Sequence, residues 1–233
     1  MKSSIAAAVI VLASGSAFAG FDADWIGLQG VNHAIRVDNT GMGGVINSTF
    51  NAGQWQFQYT DVGGDRGLGQ FAGGTFGTFC IELQSIVNGS QSYNVDAIRN
   101  APDPQPGLGG AYDSADEAEV KAVVAAAIRL GWINGDLSNN GATNSQLAAI
   151  QGMIWKMVFD DFNVTGEIAS VANNMAALEA EVANDPTASV RDLRAMVSAD
   201  TQDQLFIVPL PTAALAGLLT LGGIGGIKRL RRS

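Results

Sequence analysis

From Leu205 to Ile227 the chain runs 23 residues without a charge, then closes on Lys228-Arg229-Leu230-Arg231-Arg232-Ser233. A run of that kind belongs in a buried core or in lipid. Pro209 and Pro211 divide it, because each lacks the backbone donor that a helix interior needs. The 16 residues after Pro211 would span about 24 Å as a helix, slightly under the hydrocarbon core of a bilayer. The four cations that follow would hold that end on the cytoplasmic side. Residues 212–227 are therefore expected to form a single membrane helix, with 228–233 as its basic tail. The opposite end points the same way. Lys2, the uncharged run Ile5 to Leu12 and Ala17-Phe18-Ala19 are the three parts of a secretory signal peptide over residues 1–19.

Between these ends, residues 20–207 form the expected exported body. It carries all 22 acids and eight of the 13 cations, a net charge of −14. That balance opposes binding to nucleic acid or anionic lipid and favours contact with cations and amines. No basic patch with interleaved aromatics is present, so nucleic acid is set aside as a partner. One Cys and one His exclude an intramolecular disulfide framework and a multi-His metal site. No metal or cofactor is expected.

The C-terminal pattern resembles the PEP-CTERM family of sorting signals in its Val-Pro-Leu-Pro variant. Val208-Pro209-Leu210-Pro211-Thr212-Ala213 matches the short motif, with Leu210 where the usual form carries Glu. Ala214 to Ile227 matches the helix and Lys228 to Arg232 the basic cluster. The resemblance implies a Gram-negative bacterium and recognition by an exosortase. It also implies a transient stay in the inner membrane, then delivery to the cell surface or an extracellular polysaccharide matrix.

Within the body, composition changes near residue 112. Residues 20–95 are rich in Gly, Asn, Gln, Thr and aromatics. Gln54 to Tyr59 alternates polar and aromatic residues, which predicts a strand with one buried face. A second strand is predicted over Phe76–Leu83 and a final one over Gln204–Val208. Val62–Gly69 and Gly73-Gly74 read as turns, and Ala101–Gly107 as a loop. Helices are predicted from Asp113 to about Leu130, from Asn144 to about Phe159, from Gly166 to Ala183 and from Thr187 to Val197. The expected fold class is α+β, a Gly-rich antiparallel β portion packed with a helical portion.

The lone Cys80 carries the chemistry. A free thiol in an oxidising compartment needs protection or a use. Its fate is open to three readings: a buried small hydrophobe, a nucleophile, or one end of a covalent link. Strand alternation would put Cys80 on one face with Thr78 and Glu82, a polar setting for a core thiol. The only His, His33, lies in Val31-Asn32-His33-Ala34, and no motif pairs it with Cys80. A hydrogen-bonded strand His is the expected role there.

Phe79-Cys80-Ile81, taken with Ile150-Gln151-Gly152-Met153-Ile154-Trp155, resembles the Cys–Gln thioester domains of bacterial surface proteins. The resemblance covers about residues 70–165, with Met153 at a place where Ala is usual. It implies that Cys80 supplies the sulfur and Gln151 the acyl group, with Phe79 and Trp155 shielding the bond. Glu82 is the nearest candidate in sequence for a proton acceptor. A partner's amine would attack the Gln151 carbonyl and leave an amide crosslink. This is single-use capture rather than turnover, so no enzyme is expected. The alternative is a non-reactive structural protein of the extracellular matrix. One further motif, Asp136-Leu137-Ser138-Asn139-Asn140-Gly141, resembles the start of a calcium loop. Its twelfth position is Leu147 instead of a bidentate Glu, so a polar turn between helices is the competing reading.

Overall fold

The fold comes from a computed structural model that describes residues 20–29, 33–38, 46–61, 74–83, 86–102, 111–159 and 162–208. The signal peptide, Pro209, Leu210, Pro211 and the expected membrane helix lie outside the described residues, as does most of the Val62–Gly74 turn region. Among the described residues, no helix is long and apolar enough to cross a membrane.

Among the described residues, nine strands and three α-helices follow in the order β1 (Phe21–Gln29), β2 (Ala34–Asp38), β3 (Asn47–Asn51), β4 (Gln54–Asp61), β5 (Thr75–Thr78), β6 (Ser90–Asp96), α1 (Ser114–Arg129), α2 (Asn144–Val158), β7 (Asn163–Gly166), α3 (Ala169–Asn184), β8 (Leu193–Val197) and β9 (Gln204–Ile207). The class is α+β. Six strands make one antiparallel sheet in the order β5-β4-β1-β6-β8-β9, and three make a second in the order β3-β2-β7. The large sheet curls until its two edges meet. Leu205 N–H donates to Phe79 O at 2.8 Å, Ile81 N–H donates to Asp203 O at 3.1 Å, and Cys80 bridges Gln204. Curling removes exposed edges, which would otherwise be sites of unwanted pairing. It also encloses an aromatic core of Phe21, Phe57, Tyr59, Tyr93 and Phe206.

The helices begin where the sequence offers caps. Asp113 and Asp116 form a reciprocal capping box on α1, and Thr143 and Gln146 form one on α2. The cap of α2 is thus Thr143, one residue before the expected Asn144. Gly131, at φ 72°, turns the chain away after α1. A second core packs α1, α2 and α3 against the small sheet and the Phe79–Ile81 segment. α2 is buried on nearly every side, from Leu147 through Trp155. Its Gly152 permits the approach to β2: a Cβ there would lie 2.6 Å from Ile35 Cδ1.

Two expected elements differ. Thr187–Val197 does not form a fourth helix; Leu193–Val197 is the strand β8, hydrogen-bonded between β6 and β9. Its Leu, Arg, Ala and Met are good helix formers, but two partner strands satisfy its backbone on both sides, and that pairing outweighs a weak local preference. The predicted Phe76–Leu83 strand is shorter. β5 ends at Thr78, and the residues from Phe79 to Glu82 are buried without strand alternation. Cys80 is fully buried, in surroundings that are nonetheless polar.

Candidate functional site

The seam where the sheet closes upon itself holds Cys80, and α2 brings Gln151 to it. Cys80 N–H donates to Gln151 Oε1 at 2.8 Å, and Gln151 Nε2 donates to Cys80 O at 2.8 Å. The carboxamide thus occupies the Cys80 peptide as a strand neighbour would. Both residues are wholly buried. Leaving that N–H and C=O unpaired would cost about 1–3 kcal/mol each, so the two contacts hold the segment firmly against α2.

The sulfur has other neighbours. Cys80 Sγ–H donates to Gln202 Oε1 at 2.8 Å, and Gln204 Nε2 lies 3.4 Å from Sγ. Gln204 Nε2 also donates to Gln202 Oε1 at 3.1 Å, and Gln202 Nε2 donates to Glu82 O at 2.9 Å. Burial pushes the Cys80 thiol well above its ordinary range; the Gln204 amide opposes that push, and the charge of Glu82 adds to it. The Trp55 indole N–H stands close to the sulfur but outside hydrogen-bond geometry. It is one of four buried polar atoms with no hydrogen-bond partner among the described residues, the others being the Tyr93 hydroxyl, Trp155 Nε1 and Gln204 Oε1.

Beyond the sulfur lies a buried carboxyl pair. Asp203 N–H donates to Glu82 Oε1 at 2.5 Å, and Ser198 N–H donates to Asp203 Oδ1 at 2.8 Å. Burial and then the Asp203 charge push the Glu82 carboxyl up to about 7. Burial pushes Asp203 up to about 6. Both groups thus hold their protons further toward neutrality than an exposed acid does.

Of the sequence-predicted site residues, Cys80 and Gln151 meet. Phe79 is buried in the helix-side core, and Trp155, one turn beyond Gln151, packs its ring 6.0 Å from that of Phe50. Glu82 is bound to Asp203 and makes no hydrogen bond to Gln151. Val208 is buried in the aromatic core, and its N–H donates to Asp192 O at 3.1 Å. Sequence reasoning missed Gln202, Asp203 and Gln204. The available signal was the polar Gln202-Asp203-Gln204 run opening an apolar strand, an unusual start for a segment bound for the core. His33 precedes β2, and its carbonyl accepts from Ala52 N–H at 2.9 Å. In the Asp136 loop, the carboxylate accepts from Ser138 N–H and Oγ–H, and Leu147 is buried in α2. Among the described residues, no group of three or more acidic, His or Cys side chains is placed to hold a metal ion.

Comparison with protein-family models, curated proteins and solved structures finds no match to this chain.

Proposed function

We propose that the chain is an exported surface or matrix protein that captures an amine-bearing partner through a Cys80–Gln151 thioester. The observation that carries the reading is the Gln151 carboxamide clamped on the Cys80 peptide by two 2.8 Å hydrogen bonds, 71 positions away in sequence and out of reach of water.

The chemistry follows from that contact. Cys80 Sγ attacks Gln151 Cδ, a C–S bond forms, and Nε2 leaves as ammonia with the thiol proton. Losing Nε2 sacrifices the bond to Cys80 O, but the Cys80 N–H can stay on the acyl oxygen. A backbone donor fixed on that oxygen stabilises the negative charge of the tetrahedral intermediate, in formation and again in capture. Capture is a second acyl transfer at the same carbon. A partner's amine nitrogen attacks Cδ, the C–S bond breaks, and the amine proton returns to sulfur as the amide forms. Gln202 Oε1 accepts the thiol proton's hydrogen bond and keeps the freed Cys80 oriented. The burial of Cys80, Phe79 and Trp155 shields the acyl link from hydrolysis. The C-terminal Val208–Pro211 motif would direct the protein to an exosortase, placing the captured partner at the cell surface or in the polysaccharide matrix.

A passive structural role is the second reading. It is favoured by the sulfur's present contact with Gln202 rather than Gln151, which makes the Gln151 clamp a structural staple. Intact-mass measurement on the purified protein separates the two. The capture reading expects a deficit of one ammonia that disappears in Cys80→Ala and in Gln151→Ala, persists in Gln202→Ala, and is replaced by an adduct after methylamine treatment. A full-mass wild-type protein with an unmodified thiol would defeat it.

A further inference from the structure

The closed seam opens at one end. Near Cys80, β5 and β9 are joined by the Cys80–Gln204 bridge, by Leu205 N–H on Phe79 O, and by the Thr78 hydroxyl on Leu205 O. Toward Gly77 on one side and Phe206 on the other, no main-chain hydrogen bond joins the two strands among the described residues. A cleft of about 240 Å³ fills the opening. That is somewhat below the ~300–1,000 Å³ of pockets that hold drug-sized ligands, and suits a single extended side chain.

The lining is of two kinds. Tyr59, Phe76 and Phe206 bring their rings together, with centroids 4.7 Å apart for Tyr59–Phe76 and 5.4 Å apart for Phe76–Phe206. Across from them stand Asp136 and Ser138, from the loop between α1 and α2. The loop is held there. Leu137, between the two polar residues, is fully buried at φ 66°, a conformation that a branched side chain rarely adopts. Its carbonyl accepts from Gln54 Nε2, and Gln54 lies against Gly77 in the wall of the cleft. A non-glycine residue kept in the left-handed region needs surroundings that over-determine it, and such residues concentrate at functional sites. Asp136 Oδ1 accepts from Ser138 N–H at 2.9 Å and Oγ–H at 2.6 Å, and those bonds hold its carboxyl below the ordinary range. Asp136 is therefore charged at neutral pH. No cation among the described residues pairs with it.

An aromatic trough with one carboxylate at its rim matches a flexible alkyl stem ending in a cation. The aromatic wall takes the methylenes, and the carboxylate takes the head. We propose that this cleft binds a lysine side chain of the protein partner. Its role rests on the capture reading above. Phe206 stands two residues from Gln204 and Gly77 three residues from Cys80, roughly 7–10 Å along the strands. A partner segment that seats one lysine in the cleft therefore holds its neighbours near the Cys80–Gln151 link. That proximity raises the effective concentration of the next amine.

The binding step is separable from the chemistry. Butyltrimethylammonium carries the stem and the charge but cannot attack an acyl group. The full chain carrying Cys80→Ala, which cannot form the link, should bind it saturably by calorimetry. The double variant Cys80→Ala/Asp136→Asn should bind it about fivefold more weakly, the loss of one partly exposed charge contact. Asn keeps an oxygen for the Ser138 donors, so its fold should hold, as a matching thermal melt would show. Equal affinity in the two proteins, or binding of neutral methyl glucoside with none of the ammonium, would overturn the proposal. In the otherwise wild-type chain, Asp136→Asn should keep the ammonia deficit but slow adduct formation with a lysine peptide. A missing deficit in the wild type removes the capture reading, whereas failed ammonium binding removes only the cleft.

Discussion

At the scale of single residues, the seam stores protons. Glu82 and Asp203 sit together in a space that penalises charge, and the Asp203 charge raises the Glu82 carboxyl further. Folding raises both carboxyls above their ordinary values, to about 7 and about 6. A group whose pKa is raised on folding binds its proton more tightly in the folded state. Its stabilising effect is complete below the unfolded value near 4 and is lost as pH rises through the folded value. The protein should therefore lose stability between pH 4.5 and 7.5, by at most about 1.4 kcal/mol per pH unit for each titrating group. Glu117 and Asp136, whose carboxyls are held low, act in the opposite sense and weaken the fold only as pH drops below their ordinary values. Urea unfolding across that range should show the decline, and Glu82→Gln should flatten its upper half. A wild-type curve that rises from pH 5 to 7.5 would contradict the assignment. The sequence made Cys80, Gln151 and Glu82 legible as single residues, but not their company. Gln202 and Gln204 reach the sulfur, and Asp203 reaches Glu82, only because β9 closes the sheet, and no local pattern announces a closure spanning more than 120 positions.

At the scale of elements, capping and periodicity located α1 and α2 well, because Asp113 and Gly131 act locally, although the α2 cap fell one residue earlier than expected, at Thr143. Short strands were harder. β3 is polar along most of its length and β7 has only four residues, so neither offers a pattern, and β8 is written in helix-forming residues. What fixes the site is the fit of α2 on β2. Gly152, immediately after Gln151, lies under Ile35, and the Ile35 side chain is fully buried with little room to turn. Gly152→Ala should therefore destabilise the protein by about 1–3 kcal/mol through overpacking, against the ~1 kcal/mol that alanine returns in a helix interior. The net loss, read from denaturant unfolding, should come with a smaller fraction of ammonia-deficient protein, because α2 must shift and Gln151 shifts with it. A variant that is more stable than the wild type and fully ammonia-deficient would show that the contact does not position the carboxamide.

At the scale of the whole molecule, the proposed sorting signal and the fold meet at β9. This strand supplies Gln204 to the sulfur, Leu205 to the seam and Phe206 to the aromatic core. Val208, the first residue of the expected motif, is itself buried and hydrogen-bonded to Asp192 O. The described fold therefore reaches into the proposed motif, and release from the proposed membrane helix must spare everything through Val208 if the seam is to stay shut. A chain stopped after Pro211 should melt at the temperature of the full-length protein and keep any ammonia deficit. A chain stopped after Asp203 loses the strand that closes the sheet, exposes the thiol and opens the aromatic core. Burial of Leu205, Phe206 and Val208 contributes about 1.5–3 kcal/mol each, a sum comparable to the about 5–15 kcal/mol that ordinarily separates folded from unfolded chains. That shorter chain should fail to give a cooperative melt and should react freely with a thiol reagent. If it instead melts cooperatively with a protected thiol, β9 is an accessory to the fold, and the coupling between surface release and the integrity of the site falls with it.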